Sequence, residues 1–214
     1  MYRIVLSMAA ALSLIVSPAL CGQATVEKEA PAKKEAKKPR EPDVVYVPTP
    51  QDVVEKMLQL VKVTKKDLVY DLGCGDGRIV VTAAKKYGCR AVGFEIHPER
   101  VKMSLENVKK NKVEKLVQIK QEDIFKLDLS KANVITLYLL PSLNVKLIPQ
   151  LEKLKPGSRI VSHDFNMRGV KPDKVVKFTD KDKGTHTIYL WTTPLKKRAK
   201  KKADRPKAAA AATP

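Results

Sequence analysis

Three cysteines in 214 residues are too few for a disulfide-stapled scaffold. Past the first 24 residues no apolar run approaches the roughly 20 residues of a spanning helix, which excludes a bundle of membrane-spanning helices there. No internal repeat is present, which excludes a solenoid or propeller. Histidine is scarce as well, at three residues, and no compact ligand spacing links them to acids. A grouping of His163 with Asp164 and Asp128 is conceivable, but no metal is expected. Acidic residues are under-represented, 23 against 42 basic, leaving a formal charge of +19. That balance favours an acidic partner, whether nucleic acid, anionic lipid or an acidic protein face, without choosing among them.

The charge is unevenly spread along the chain. Lys196 to Lys207 holds eight Lys or Arg against one Asp, and residues 195–214 read as a basic, disordered tail. Residues 25–44, rich in Lys, Glu, Ala and Pro, have almost nothing to bury and read as a solvated linker. Residues 1–24 combine Arg3, an apolar run from Ile4 to Leu20 and small residues near Ala19 and Ala24, the pattern of a signal peptide or N-terminal anchor. The expected address is therefore exported or membrane-associated, or cytoplasmic if the signal is not used. Residues 45–194 remain as one domain.

Within that domain, apolar strands alternate with amphipathic helices. Thr49 reads as an N-cap ahead of Pro50, with Val53, Val54, Met57, Leu58 and Val61 on one helical face. "DLVYDLG", "RAVGFEI", "LVQIK", "NVITLYL" and "SRIVSHDF" read as five strands separated by helices; in the third helix Val101, Leu105 and Val108 are expected inward and His97 at the cap, and in the fourth Pro149 is expected to kink the axis. "KVVKFTD" and "THTIYLWTT" flank the turn "KDKG". The fold implied is α/β and Rossmann-like: a doubly wound seven-stranded sheet, mostly parallel, with an antiparallel C-terminal edge hairpin. Cys74 and Cys89 fall at opposite ends of neighbouring strands, roughly 17 Å apart, and should not pair.

Chemistry concentrates after the first strand. Asp71, Gly73, Gly75, Asp76 and Gly77 form D-x-G-x-G-D-G, whose spacing differs from the G-x-G-x-x-G of a dinucleotide fold. Two carboxylates repel phosphate but suit a ligand with a cationic end. S-adenosyl-L-methionine has such an end in its amino and sulfonium groups, and its carboxylate takes backbone N–H groups. Glu95 ends the second strand, where it can accept ribose hydroxyls. Asp123 follows the third, placed for an adenine amino group, with Ile124 or Phe125 covering the ring.

Asp71 to Gly77, Glu95 and Asp123 resemble the cofactor motifs of class I, seven-stranded S-adenosylmethionine-dependent methyltransferases. "YVPTPQDVVEKML" ahead of "VYDLGCGDGRIVVTAA" also resembles the lysine methyltransferase group that includes the mitochondrial ATP synthase c-subunit enzyme and its small bacterial relatives. The resemblance implies that the segment before the first helix helps close the cofactor pocket, through Tyr46, Pro48 and Thr49.

After the fourth strand, amino-methyltransferases acting on adenine or glutamine commonly carry Asn/Asp-Pro-Pro-aromatic; this chain has Tyr138, Leu139, Leu140 and Pro141. That favours an apolar channel with backbone carbonyls, which the resemblance implies would admit a lysine amine, with Tyr138 as a hydroxyl acceptor or a core-edge aromatic. His163 at the end of the fifth strand is either the acceptor of a substrate proton or a structural histidine. Methyl transfer to a protein lysine is the reading, with a nucleic-acid methyltransferase guided by the basic tail, and an exported non-catalytic binding module, as alternatives.

Overall fold

The structure is a computed structural model and describes residues 46–198. The leader at 1–24, the linker at 25–44 and most of the basic tail lie outside the described residues. No helix among the described residues is long and apolar enough to cross a membrane.

Helix α1 (Gln51–Leu60) precedes strand β1 (Leu68–Leu72), α2 (Arg78–Tyr87), β2 (Arg90–Glu95), α3 (Pro98–Lys110) and β3 (Val117–Gln121). There follow β4 (Val134–Leu137), α4 (Pro141–Leu151), β5 (Arg159–His163), β6 (Lys174–Thr179) and β7 (Thr185–Thr192). The seven strands form one sheet in the order β3-β2-β1-β4-β5-β7-β6, with β1 to β5 parallel and β7 antiparallel to both its neighbours. The expected α/β architecture and edge hairpin are therefore present.

Alternation along β1 shows how the core is divided. Val69 joins the cluster under α1, α2 and α3, while Tyr70 and Leu72 join the cluster against α4 and Trp191. Chain order reverses between β1 and β4, so a crevice opens beyond their carboxyl ends, the position at which such sheets bind ligands.

Several local expectations are corrected. Pro50, not Thr49, occupies the cap position of α1, and no side chain caps that helix. The Thr49 hydroxyl is instead bonded to a buried histidine, which it cannot reach while capping. In α3 Val108 is buried as expected and Val101 is half-buried, but Leu105 is 50% exposed and the fully buried Ser104 takes its place. Gly77 requires this, since a Cβ there would lie 2.9 Å from that of Ser104 and a larger side chain would not fit beneath it. His97 occupies the cap position of α3, but its carbonyl serves there and its ring makes no cap bond. Pro149 sits in the last turn of α4. The fold also runs past the expected boundary at 195: Val170 bridges to Lys197, and Arg198 N–H donates to the Gly169 carbonyl.

Cys74 and Cys89 are buried and unpaired. Burial pushes both thiols up, Cys89 to about 11, so both stay protonated and unreactive at neutral pH.

Candidate active site

The crevice at the carboxyl ends of β1 and β4 is a cavity lined by Tyr46, Pro48 and Thr49 on one side, and by Asp71, Gly73, Asp76, Glu95, Asp123 and Ile124 on the other. Tyr138, Leu139, Leu140, Leu143 and Phe165 complete the wall. Of the residues expected from the sequence, His163 is not among the lining residues, and Gly75 and Gly77 shape the loop without lining the cavity.

The loop's shape follows from its glycines. Gly75 has φ +57°, and a Cβ there would stand 2.3 Å from Cε2 of Tyr46. Only glycine lets the Tyr46 ring lie against the loop. Tyr46 also meets the Arg100 guanidinium, 4.8 Å from the ring centroid. The segment before α1 is thus clamped between the loop and α3.

Arg78 adds a second fastening that sequence reasoning missed. It forms a fork with Asp76, Nε to Oδ1 at 2.9 Å and Nη2 to Oδ2 at 2.7 Å, while its Nη1 donates to the Thr49 carbonyl at 2.9 Å. Burial pushes the Asp76 carboxyl up, but the hydrogen bonds and charge of Arg78 together outweigh it and hold the carboxyl below its usual range.

Glu95 has a role beyond the one its position suggested. Its Oε2 accepts from Gly75 N–H at 3.0 Å, and its Oε1 accepts from the N–H groups of Ile96 and His97. One buried carboxylate therefore sets the loop, the end of β2 and the entry to α3. Asp123 similarly accepts from Phe125 N–H at 3.0 Å, turning the chain so that Ile124 and Phe125 face the cavity.

Asp71 differs from these. It is 2% exposed; its Oδ1 accepts from the Thr136 hydroxyl at 2.7 Å, and its Oδ2 is buried with no partner. Burial, opposed by the Thr136 bond, pushes this carboxyl up to about 7. An orphaned carboxylate oxygen at a ligand cavity is suited to a cation or a donor. The lining holds five acids (Asp71, Asp76, Glu95, Glu122, Asp123) and two arginines (Arg78, Arg100), the reverse of the chain's overall charge.

A model of the ANTKMT methyltransferase domain matches residues 71–174. The protein-lysine N-methyltransferase of Saccharolobus islandicus (strain REY15A) is 49% identical over 152 residues, covering 70% of this chain and 94% of that protein. The chain belongs to this methyltransferase family. The human lysine N-methyltransferase of the ATP synthase c-subunit is 30% identical, with 68% of this chain matched to 60% of that one. A solved structure described as an RNA methyltransferase from Salinibacter ruber, in complex with S-adenosyl-L-homocysteine, is 50% identical with a TM-score of 0.65, covering 69% of this chain and 94% of that one. The cofactor class is therefore S-adenosylmethionine, and the acidic cavity with its open Asp71 oxygen fits a ligand bearing an ammonium and a sulfonium.

The second focus of the methyltransferase lies behind the cavity wall. Tyr138 stacks on His163 with ring centroids 4.1 Å apart, and on Phe165 at 5.8 Å. His163 is fully buried, with Nδ1 3.2 Å from the Thr49 hydroxyl and Nε2 2.8 Å from Nδ1 of His186. Both ring nitrogens are thus engaged, and desolvation holds the imidazole down to about 4, hence neutral. His163 thus contacts Thr49 and Tyr138, which line the cavity, and is not itself among the lining residues. His186, which no short motif announced, is reached only through pairing of β5 with β7. Asp128, the sequence-level partner considered for His163, bonds instead to Ser130.

Proposed function

We propose that this methyltransferase acts on the amine of a protein lysine. The observation that carries the reading is the wall after β4: Tyr138, Leu139, Leu140 and Leu143 face the cavity together with Phe165, and this wall contains no carboxamide or carboxylate to grip a base's exocyclic amino group. A 49% identical relative named a protein-lysine N-methyltransferase supports it.

In this reading Asp71 takes the cofactor's ammonium, the loop from Gly73 to Gly77 takes its carboxylate, Glu95 the ribose, and Asp123 with Ile124 the adenine. Tyr46 and Thr49 close the pocket, and Asp76 serves through Arg78 by holding that closing segment. When bound, the cofactor supplies a methyl group on a sulfonium. The lysine nitrogen's lone pair forms the new C–N bond as the C–S bond breaks, leaving a neutral thioether and a methylated ammonium that then loses a proton. The leucines and Phe165 exclude water, which lowers the ammonium's pKa and frees the lone pair. The Tyr138 hydroxyl accepts from the amine N–H and fixes the line of attack.

Incubation with methyl-labelled cofactor and a cell extract tests this: label should be recovered as methyl-lysine after acid hydrolysis of the protein fraction. Nuclease-sensitive label would select the second reading, an RNA methyltransferase, which the relative from Salinibacter ruber favours. Residues 1–24 suggest an exported or membrane-associated address; fractionation with the same assay on each fraction tests that address.

A further inference from the structure

Behind the cavity wall, three potential ligand atoms converge from two strands distant in sequence. His163 Nε2 and His186 Nδ1 are 2.8 Å apart, and Asp164 Oδ2 lies 3.2 Å from the first and 3.5 Å from the second. The remaining atoms of these groups are all committed. His163 Nδ1 meets the Thr49 hydroxyl at 3.2 Å, His186 Nε2 meets Asp180 Oδ2 at 2.9 Å, and Asp164 Oδ1 accepts from Thr187 N–H at 2.6 Å. Asp164 holds this position at φ +53°, a left-handed conformation unusual for a residue other than glycine.

We propose that His163, His186 and Asp164 form a binding site for a divalent first-row transition ion, with zinc as the best match. Two imidazoles and one carboxylate are a three-ligand set that leaves a fourth position open. For bonds of about 2.0–2.1 Å, tetrahedral ligands stand about 3.3 Å from one another. The two edges involving Asp164 already match. The histidine edge needs to open by about 0.5 Å, a small side-chain movement once the ion replaces the proton shared between the rings.

The outer contacts follow the pattern of a built metal site: each histidine's far nitrogen is held by a second group, Thr49 for one and Asp180 for the other, which orients the ring. Charge also balances. Asp164 and Asp180 bring two negative charges to a place where His163 is fully buried, and one divalent ion with neutral imidazoles cancels both. The ion would tie the end of β5 to the β6–β7 hairpin, directly behind Tyr138 and Thr49. None of this depends on the lysine reading.

The test uses full-length protein without a histidine tag, stripped with a chelator, desalted and titrated with zinc and with cobalt as a coloured probe. One equivalent should be retained, with the visible spectrum of cobalt bound to nitrogen and oxygen ligands and a rise in melting temperature. The chain has three histidines, so the third, His97, offers no competing imidazole pair. His186→Gln should lose at least about 100-fold in affinity, and Thr49→Val, which leaves all three ligands in place and removes one outer contact, about 10-fold. If His186→Gln does not fold, Asp164→Asn serves in its place. Failure of wild-type protein to retain a stoichiometric ion or give a saturable cobalt spectrum overturns the proposal and leaves a hydrogen-bonded His–His–Asp chain. Unchanged affinity in a folded His186 or Asp164 variant overturns it equally.

Discussion

The end of β1 and the end of β5 stand at the same edge of one sheet, separated by β4, yet they are built differently. At β1 the working parts are nearly contiguous: Asp71, Gly73, Gly75, Asp76, Gly77 and Arg78 fall within one strand-loop-helix turn. At β5 they are assembled from afar, with Thr49, His163, Asp180 and His186 meeting across up to 114 residues of chain. A contiguous site is constrained by backbone shape, and a dispersed one by side-chain contacts. The first should therefore fail when a Cβ is added, and the second when a polar group is removed.

The largest effect is expected at Gly75. Gly75→Ala places a methyl group against Tyr46 in a left-handed backbone and should weaken S-adenosyl-L-homocysteine binding by about 100-fold in calorimetry. Tyr46→Ala in the same background should recover part of that loss by relieving the clash. Full affinity in Gly75→Ala alone would show that the loop's fit to Tyr46 is immaterial.

Asp71→Asn ranks next, with about 10-fold weaker cofactor binding at pH 8. Because the carboxyl titrates near 7 in the free protein, wild-type affinity should rise from pH 6 to pH 8 with uptake of the cationic ligand and release of a proton; the variant should be flat. The sign for stability is opposite. A carboxyl whose folded value lies above its unfolded one favours the native state at low pH, and that contribution fades as pH rises from about 4 to about 7. Ligand-free Asp71→Asn should therefore be more stable than wild type at pH 8, by about 2 kcal/mol, in denaturant melts.

At the β5 side, Tyr138→Phe removes one hydroxyl from an otherwise intact stack. We expect kcat to fall about 10-fold while cofactor affinity is unchanged; an unchanged kcat would make Tyr138 a wall residue only. The smallest effect separates two neighbours in α3. Leu105→Lys should alter stability by under about 0.5 kcal/mol, whereas Ser104→Leu, forced against Gly77, should cost about 1–3 kcal/mol and weaken cofactor binding with it.

The legibility of the two regions differs for the same reason. The glycine-acid loop is readable because positive φ and close approach demand glycine at fixed spacing, and because carboxylates among glycines disfavour phosphate. Glu95 is legible by its place at a strand end, but its three backbone N–H bonds are not, since those depend on how the chain turns after β2. Leu105 reads as inward because helical spacing cannot separate adjacent residues near the edge of an apolar face. Thr49 before Pro50 looks like a cap in isolation, and only the tertiary fold offers its hydroxyl a buried imidazole.

Periodicity, glycine placement and the acids ending three successive strands were enough to determine the doubly wound sheet, the cofactor class and most of the residues that line the crevice, because each rests on interactions between near neighbours in the chain. Which residue clamps the pocket, which oxygen of Asp71 stays open, and that His186 joins His163 were decided by the tertiary structure. Those contacts exist only after β7 has paired with β5 and the segment at Tyr46 has folded back over Gly75, and no local propensity encodes either closure.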